Sequence, residues 1–145
     1  MNKTLQTHYN IFEYCNEISK KSKCLSRQVG AVLVKDGLIV SQGYNRVPCK
    51  TNDCKTCIRH QKHSGEALDI CKAIHAEEAC ILNYLKNHTL EDLKDCTLYV
   101  TVEPCYHCAK FIIDCKIRKV YAHQEYNSDY TKAIFKEAGV KFYIV

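Results

Sequence analysis

The sequence predicts a three-layer α/β/α sandwich built on a mixed five-stranded sheet. Three observations carry that prediction. Two β-rich runs near the N-terminus are joined by Lys35-Asp36-Gly37, a hairpin signal. Beyond them, helical and strand-like segments alternate to the end of the chain, the pattern of β-α-β units. The last two strand-like segments are separated by a crossover of helix length, so those strands should run parallel.

The elements follow in order. Thr4 to about Lys21 reads as an amphipathic helix with Ile11, Phe12, Cys15 and Ile18 on one face. Gly30 to Val34 and Leu38 to Gly43 are the hairpin strands. Tyr44 to Lys72 is long, polar and cysteine-bearing, and a loop of that length inside a compact domain is usually functional. His75 opens a helical run through Glu78, Ala79, Cys80, Ile81, Leu82, Leu85 and Lys86. A strand from Thr97 to Thr101 comes next, then a helix from Cys105 to about Cys115, with Pro104 suited to its start. Lys119 to Ala122 is a strand, Asp129 to Ala138 a helix, and Val140 to Val145 the last strand.

The bulk composition narrows the class. With 145 residues the chain reads as one domain, 1–145, carrying a cysteine-bearing insert loop at about 44–72. Met1 to Lys23 is polar and has no signal-peptide core. No apolar run approaches the roughly 20 residues of a membrane span. The expected location is the cytoplasm. Eleven cysteines, an odd number, without a signal peptide argue for reduced thiols rather than a disulfide framework. Cys15, Cys80, Cys96 and Cys115 sit in apolar or helical patterns and read as small core residues. The net charge of +5 suits an anionic substrate such as a nucleotide. Lys and Arg are spread along the chain, which makes nucleic acid the poorer partner. Lys20, Lys21 and Lys23 read as a solvated helix end.

Two motifs carry the chemistry: His75-Ala76-Glu77 and Pro104-Cys105-Tyr106-His107-Cys108. Zinc prefers nitrogen and sulfur donors in a tetrahedron, and a catalytic site keeps one position open. His75, Cys105 and Cys108 supply three donors and leave the fourth to water. Zinc lowers the pKa of such a water to roughly 7. Glu77 is then free to act as general acid and base. Cys105 and Cys108 are i, i+3 and share a helix face. Both donor sets fall at helix N-termini, where the dipole favours thiolate. His107 reads as a surface or lining residue. A Cys-x-x-Cys alone is equally a redox pair or half of a structural zinc site. Combined with His-x-Glu, in this order and with one strand between, it matches the signature of zinc-dependent nucleobase deaminases.

At this level of detail the chain resembles the deoxycytidylate (dCMP) deaminases of the cytidine deaminase-like superfamily. The resemblance runs from Ser26 to Val145. It rests on Val29-Gly30-Ala31-Val32, Gly43-Tyr44-Asn45, Cys71-Lys72-Ala73-Ile74-His75-Ala76-Glu77, Ile81-Leu82-Asn83, the Pro104 to Cys108 motif, and Ala138-Gly139-Val140. It implies hydrolysis of dCMP to dUMP and ammonia, feeding thymidylate synthesis. It also implies a sugar contact at Asn45, with a turn residue as the alternative, and a phosphate contact at Arg27, with a surface ion pair as the alternative. It puts Tyr126 beside the phosphate, with plain packing as the alternative, and the backbone of Ala76 against the base. A second, structural zinc is implied in the long loop on Cys49, Cys54 and Cys57, with Cys71 or a histidine (His60 or His63) as the further ligand. Free thiols are the other reading. The resemblance further implies dCTP and dTTP as effectors, Mg2+ accompanying a nucleotide effector, and a homo-oligomer, often a hexamer.

The chain departs from that pattern at two places. Arg46 stands where a glycine follows Gly-Tyr-Asn, and Cys49 replaces a glycine after Pro48. Arg46 either removes control by nucleotides or strengthens the binding of a triphosphate. Glu103 before Pro104 is shared with tRNA adenosine deaminases, which form one competing reading. A deaminase of another cytosine nucleotide such as dCTP is a second. A third is a non-catalytic, zinc-stabilised assembly protein, against which the intact Glu77 argues. A free-cytidine deaminase resembles the chain less after Cys108.

Overall fold

Asp36 and Gly37 both take positive φ, 52° and 78°, as a two-residue hairpin turn requires. They join β1 (Gly30–Lys35) to β2 (Leu38–Tyr44). The structure, a computed structural model, describes residues 3–59 and 70–145. Around the hairpin stand α1 (Lys3–Ser19), α2 (Ala76–Leu85), β3 (Thr97–Val102), α3 (Tyr106–Asp114), β4 (Lys119–Gln124), α4 (Asp129–Ala138) and β5 (Lys141–Ile144). The five strands form one mixed sheet in the order β2-β1-β3-β4-β5. β1 pairs antiparallel with both β2 and β3. β3 with β4, and β4 with β5, are parallel, as two helix-length crossovers dictate.

The two faces of the sheet sort the side chains by alternation. Ala31, Leu33, Leu98, Val100, Val120 and Ala122 turn to one face, where they pack with Cys80, Ile81 and Tyr84 of α2, Ala109 and Ile112 of α3, and Phe135 of α4. Val32, Val34 and Tyr99 turn to the other and meet Phe12 and Cys15 of α1. One helix therefore covers one face and three cover the other, which is the three-layer sandwich. Cys15, Cys80, Cys96 and Cys115 are all free and buried, as small apolar residues would be.

Two glycines of the hairpin set how closely the layers approach. A Cβ on Gly30 would lie 2.2 Å from the carbonyl oxygen of Cys15 in α1. One on Gly43 would lie 2.3 Å from the amide nitrogen of Cys80 in α2. No larger residue fits between helix and strand at either point without displacing backbone.

The observed elements differ from the expected ones at their ends. α1 stops at Ser19, two residues early, and its last turn closes with Lys20 and Lys21 amides bonded to Glu17 and Ile18 carbonyls. β4 runs two residues further, to Gln124. A short 3-10 helix over Leu90–Asp95 lies outside the expected pattern. The Thr89 amide and hydroxyl both donate to Asp92 at its start, and fully buried Leu93 anchors it. The long insert is closed at its neck by a two-bond bridge. Arg46 N–H donates to Ile74 O at 3.0 Å, and Ile74 N–H to Arg46 O at 2.7 Å. The chain thus leaves β2 and returns to α2 at the same place.

Candidate functional site

α2 and α3 begin side by side, at the end of β3. His75 is the N-cap of α2 and Cys105 the N-cap of α3, one step outside the helices proper. The Glu78 carboxylate accepts from the His75 amide at 3.2 Å and fixes the entry to α2. The Cys105 sulfur accepts from the Cys108 amide at 3.5 Å. Thr131 of α4 donates its hydroxyl to the Pro104 carbonyl at 2.9 Å and steadies the approach to α3.

This brings three donors together. His75 Nδ1 lies 3.2 Å from Cys108 Sγ and 3.5 Å from Cys105 Sγ. The donor atoms of His75, Cys105 and Cys108 all fall within 4.8 Å of one another. Tetrahedral zinc with ordinary bond lengths would hold such atoms about 3.6–3.8 Å apart, so the residues fit the ion with only small adjustment. Their protonation points the same way. Cys105 is held down at about 4, first by the hydrogen bond from the Cys108 thiol and then by His75. His75 is raised to about 9, chiefly by its bond to Cys105. Cys108 is pushed up because it donates to that thiolate and is buried. The three groups hold protons between them where a divalent cation would take their place.

Glu77 is 4% exposed. Burial raises its carboxyl to about 7, the range in which a carboxyl both accepts and returns a proton at neutral pH. It lines a small cavity of about 150 Å³ together with His75, Cys105, Ala76, Asn45, Arg27 and Tyr126. All four expected substrate contacts therefore meet the catalytic motifs at one pocket. The Arg27 guanidinium lies 5.7 Å from the centre of the Tyr126 ring. Asn45 is buried and half committed to the backbone. Its Oδ1 accepts from Val29 N–H at 2.9 Å, and its Nδ2 donates to Arg27 O at 2.7 Å. It braces the segment carrying Arg27 and keeps one donor and one lone pair to spare. His107 is largely exposed and pairs at 4.0 Å with Glu78.

Of the loop cysteines, Cys49, Cys54 and Cys57 stand apart from this centre, while Cys71 lines both spaces. Cys49, Cys54, Cys57 and Cys71 line a larger cavity of about 620 Å³, beneath the insert. Among the described residues, no three of these thiols converge as the His75 group does. His60 and His63 lie outside the described residues. The larger cavity is edged by Lys21, Lys23, Arg46, Lys50, Lys55 and Lys72. Lys21 and Lys23 are exposed, as a solvated helix end predicts, but they also face this space. The two cavities share Cys24, Arg59, Cys71 and Ala73. Cys24 and Arg59 are wall residues that no local spacing reveals; they come from segments far apart in the chain, and only the packing brings them to the site. Glu103, next to the Pro104 to Cys108 motif, lines the same wall.

The fold and the donor set together define a zinc-binding deaminase domain. Comparison with known proteins identifies the lineage. The family model described as "Cytidine and deoxycytidylate deaminase zinc-binding region" matches residues 5–124, and the chain belongs to that family. A deoxycytidylate deaminase of Schizosaccharomyces pombe is 31% identical over 135 residues, covering 89% of this chain and 41% of its own. A probable deoxycytidylate deaminase of Caenorhabditis elegans is 36% identical over 121 residues, covering 83% of this chain and 58% of its own. The chain thus spans about half the length of these two curated relatives. The deoxycytidylate deaminase of Mycobacterium phage D29 is 37% identical over 116 residues, covering 74% of this chain and 86% of its own. Among solved structures, the dCMP deaminase of cyanophage S-TIM5 in complex with dCMP and dUMP aligns over 100% of this chain and 99% of its own. Its TM-score is 0.79 at 23% identity, which supports the shared fold.

Proposed function

We propose that the chain is a zinc-dependent hydrolase that deaminates dCMP to dUMP and ammonia. The observation that carries this reading is the meeting of buried Glu77 with the His75–Cys105–Cys108 set at the pocket that Arg27 and Tyr126 also line. The names of the relatives, several of them deoxycytidylate deaminases, favour dCMP. Zinc held by the three donors supplies Lewis acidity and a water made acidic at neutral pH. Glu77 removes the proton from the attacking water, carries it to the ring nitrogen next to the reacting carbon, and later helps protonate the departing amine. Ala76 presents its backbone to the base, Asn45 its spare amide hydrogen to the sugar, and Arg27 its fork of donors to the phosphate. The competing substrates are tRNA adenosine and dCTP.

The test is ammonia release by purified, zinc-loaded protein offered dCMP, dCTP, deoxycytidine and tRNA separately. Turnover of dCMP above the others supports the reading. Activity on tRNA alone, or on none, overturns the substrate assignment.

Four further features accompany this activity in our proposal. The first is a single domain over 1–145, with the insert as its appendage. The second is a structural zinc under the insert on Cys49, Cys54, Cys57 and Cys71, which the shared cavity favours. Metal analysis of the wild type should give two zinc ions per chain, and the Cys54→Ala/Cys57→Ala variant one, with deaminase activity largely kept. A wild-type count of one removes this second site. The third is a nucleotide effector, dCTP or dTTP, for which the basic edge of the larger cavity and Arg46 offer a counter-charge. The Mg2+ expected with that effector gains no support among the described residues. The fourth is a cytoplasmic homo-oligomer, as the family resemblance implies for the assembly. Among the described residues, no helix is long and apolar enough to cross a membrane.

A further inference from the structure

Glu103 stands just beyond β3 and two residues before Cys105. It is 3% exposed and lines the same pocket as Glu77. One carboxylate oxygen, Oε2, accepts from the backbone N–H groups of Tyr126 at 2.8 Å and Asn127 at 3.2 Å. The other, Oε1, is buried and makes no hydrogen bond among the described residues. The Glu103 amide in turn donates to Gln124 O at 2.8 Å. A single residue therefore ties the end of β3 to the turn that leads from β4 into α4.

The turn is sharp: Asn127 takes φ of 60°, in the left-handed region that asparagine enters more readily than most residues. Two charge-assisted bonds to one oxygen are strong enough to keep it. The residue so held, Tyr126, carries its ring beside the Arg27 guanidinium at the pocket wall. A buried carboxylate with one oxygen unsatisfied costs stability, and packing alone gives no reason to keep a charge here. Oε2 is satisfied by the two amides of the turn, and Arg27 supplies the counter-charge for an anion at this wall.

We propose that Glu103 is a positioning residue for the phosphate of the substrate. By gripping the Tyr126–Asn127 turn, it holds Tyr126 against Arg27, so that the wall meeting the phosphate is formed before substrate arrives. The proposal rests on the reading that Arg27 and Tyr126 face the phosphate of a nucleotide.

The test compares dCMP with deoxycytidine, which has the same base and sugar and no phosphate. Glu103→Gln keeps the shape of the side chain but loses the charge and turns one acceptor into a donor. The ratio of kcat/KM for dCMP to that for deoxycytidine should fall about tenfold, the scale of a lost charge-assisted contact, with the loss in KM for dCMP. In an Arg27→Ala background the same substitution should change the ratio less than about twofold, since coupled residues are not additive. Equal losses on both substrates, or full additivity with Arg27→Ala, would show a merely structural role and overturn the proposal. If Glu103→Gln does not fold, Glu103→Asp, which keeps the charge and shortens the reach, is read by the same ratio and criteria. Absence of wild-type turnover of dCMP overturns the parent reading and this proposal with it. An unchanged ratio alongside normal wild-type turnover overturns this proposal alone.

Discussion

Glu77→Ala is expected to lower kcat on dCMP by about 10²–10⁴-fold, the scale of a positioned general acid and base. Zinc content should stay at the wild-type level, because Glu77 is not among the three donors that converge. The thermal midpoint should hold or rise. Glu77 is buried, and that burial is the main cause that raises its carboxyl to about 7, against the opposing pull of His75. Its charged form is therefore a burden on the folded state, carried for the reaction. Isolated variant protein would be assayed for ammonia release, metal content and melting. Loss of zinc along with activity would make the carboxylate structural and sink its catalytic role.

The second large effect is the loss of the metal. Chelation should abolish turnover, and zinc should restore it. Held by His75, Cys105 and Cys108, zinc would join the starts of α2 and α3. Stripping it should lower the melting midpoint by at least about 5 °C, the shift that roughly 2 kcal/mol produces in a domain of this size. Reloading the stripped protein at pH 7 should also release protons. Cys105, held down to about 4, is already a thiolate. His75, raised to about 9, and Cys108, pushed up, both carry protons. Binding needs a neutral imidazole and two thiolates, so about two protons should leave per ion. Zinc affinity should accordingly weaken as the pH falls below about 9, where His75 takes up its proton. Calorimetry in buffers of different ionisation enthalpy counts these protons. A count near zero would mean the three groups are not the ligands. Cys108→Ser should reproduce the stripped state without chelator.

Much of this site is legible in the sequence. The donor set is local: His75 sits at one helix start, and Cys105 and Cys108 at another, i and i+3 on one face. N-terminal caps, a proline before the helix and a two-residue hairpin turn are short-range chemistry, so sequence spacing reports them directly. The mixed sheet and its parallel last pair follow in the same way from the hairpin and the final crossover, whereas the antiparallel seating of β3 beside β1 is a tertiary choice. Element ends shifted by a residue or two because the last bonds of a helix or strand depend on what packs against them.

The rest of the pocket depends on distant segments meeting. Arg27 precedes β1 and Tyr126 follows β4, and nothing in their spacing places the guanidinium beside the ring. Asn45, expected to touch the sugar, spends half its amide on the backbone of residues 27–29, a commitment only the folded chain reveals. Glu103 is visible in the sequence as the residue before Pro104. Its burial, its grip on the 126–127 turn and its unpartnered oxygen are not visible there. The sequence by itself determined the order of the main elements and the candidate set His75, Cys105, Cys108 and Glu77, because each is set by neighbours along the chain. Tertiary structure alone decided which cations and carboxylates wall the pocket, and what burial does to Glu77, because desolvation and long-range contact are properties of the packed molecule.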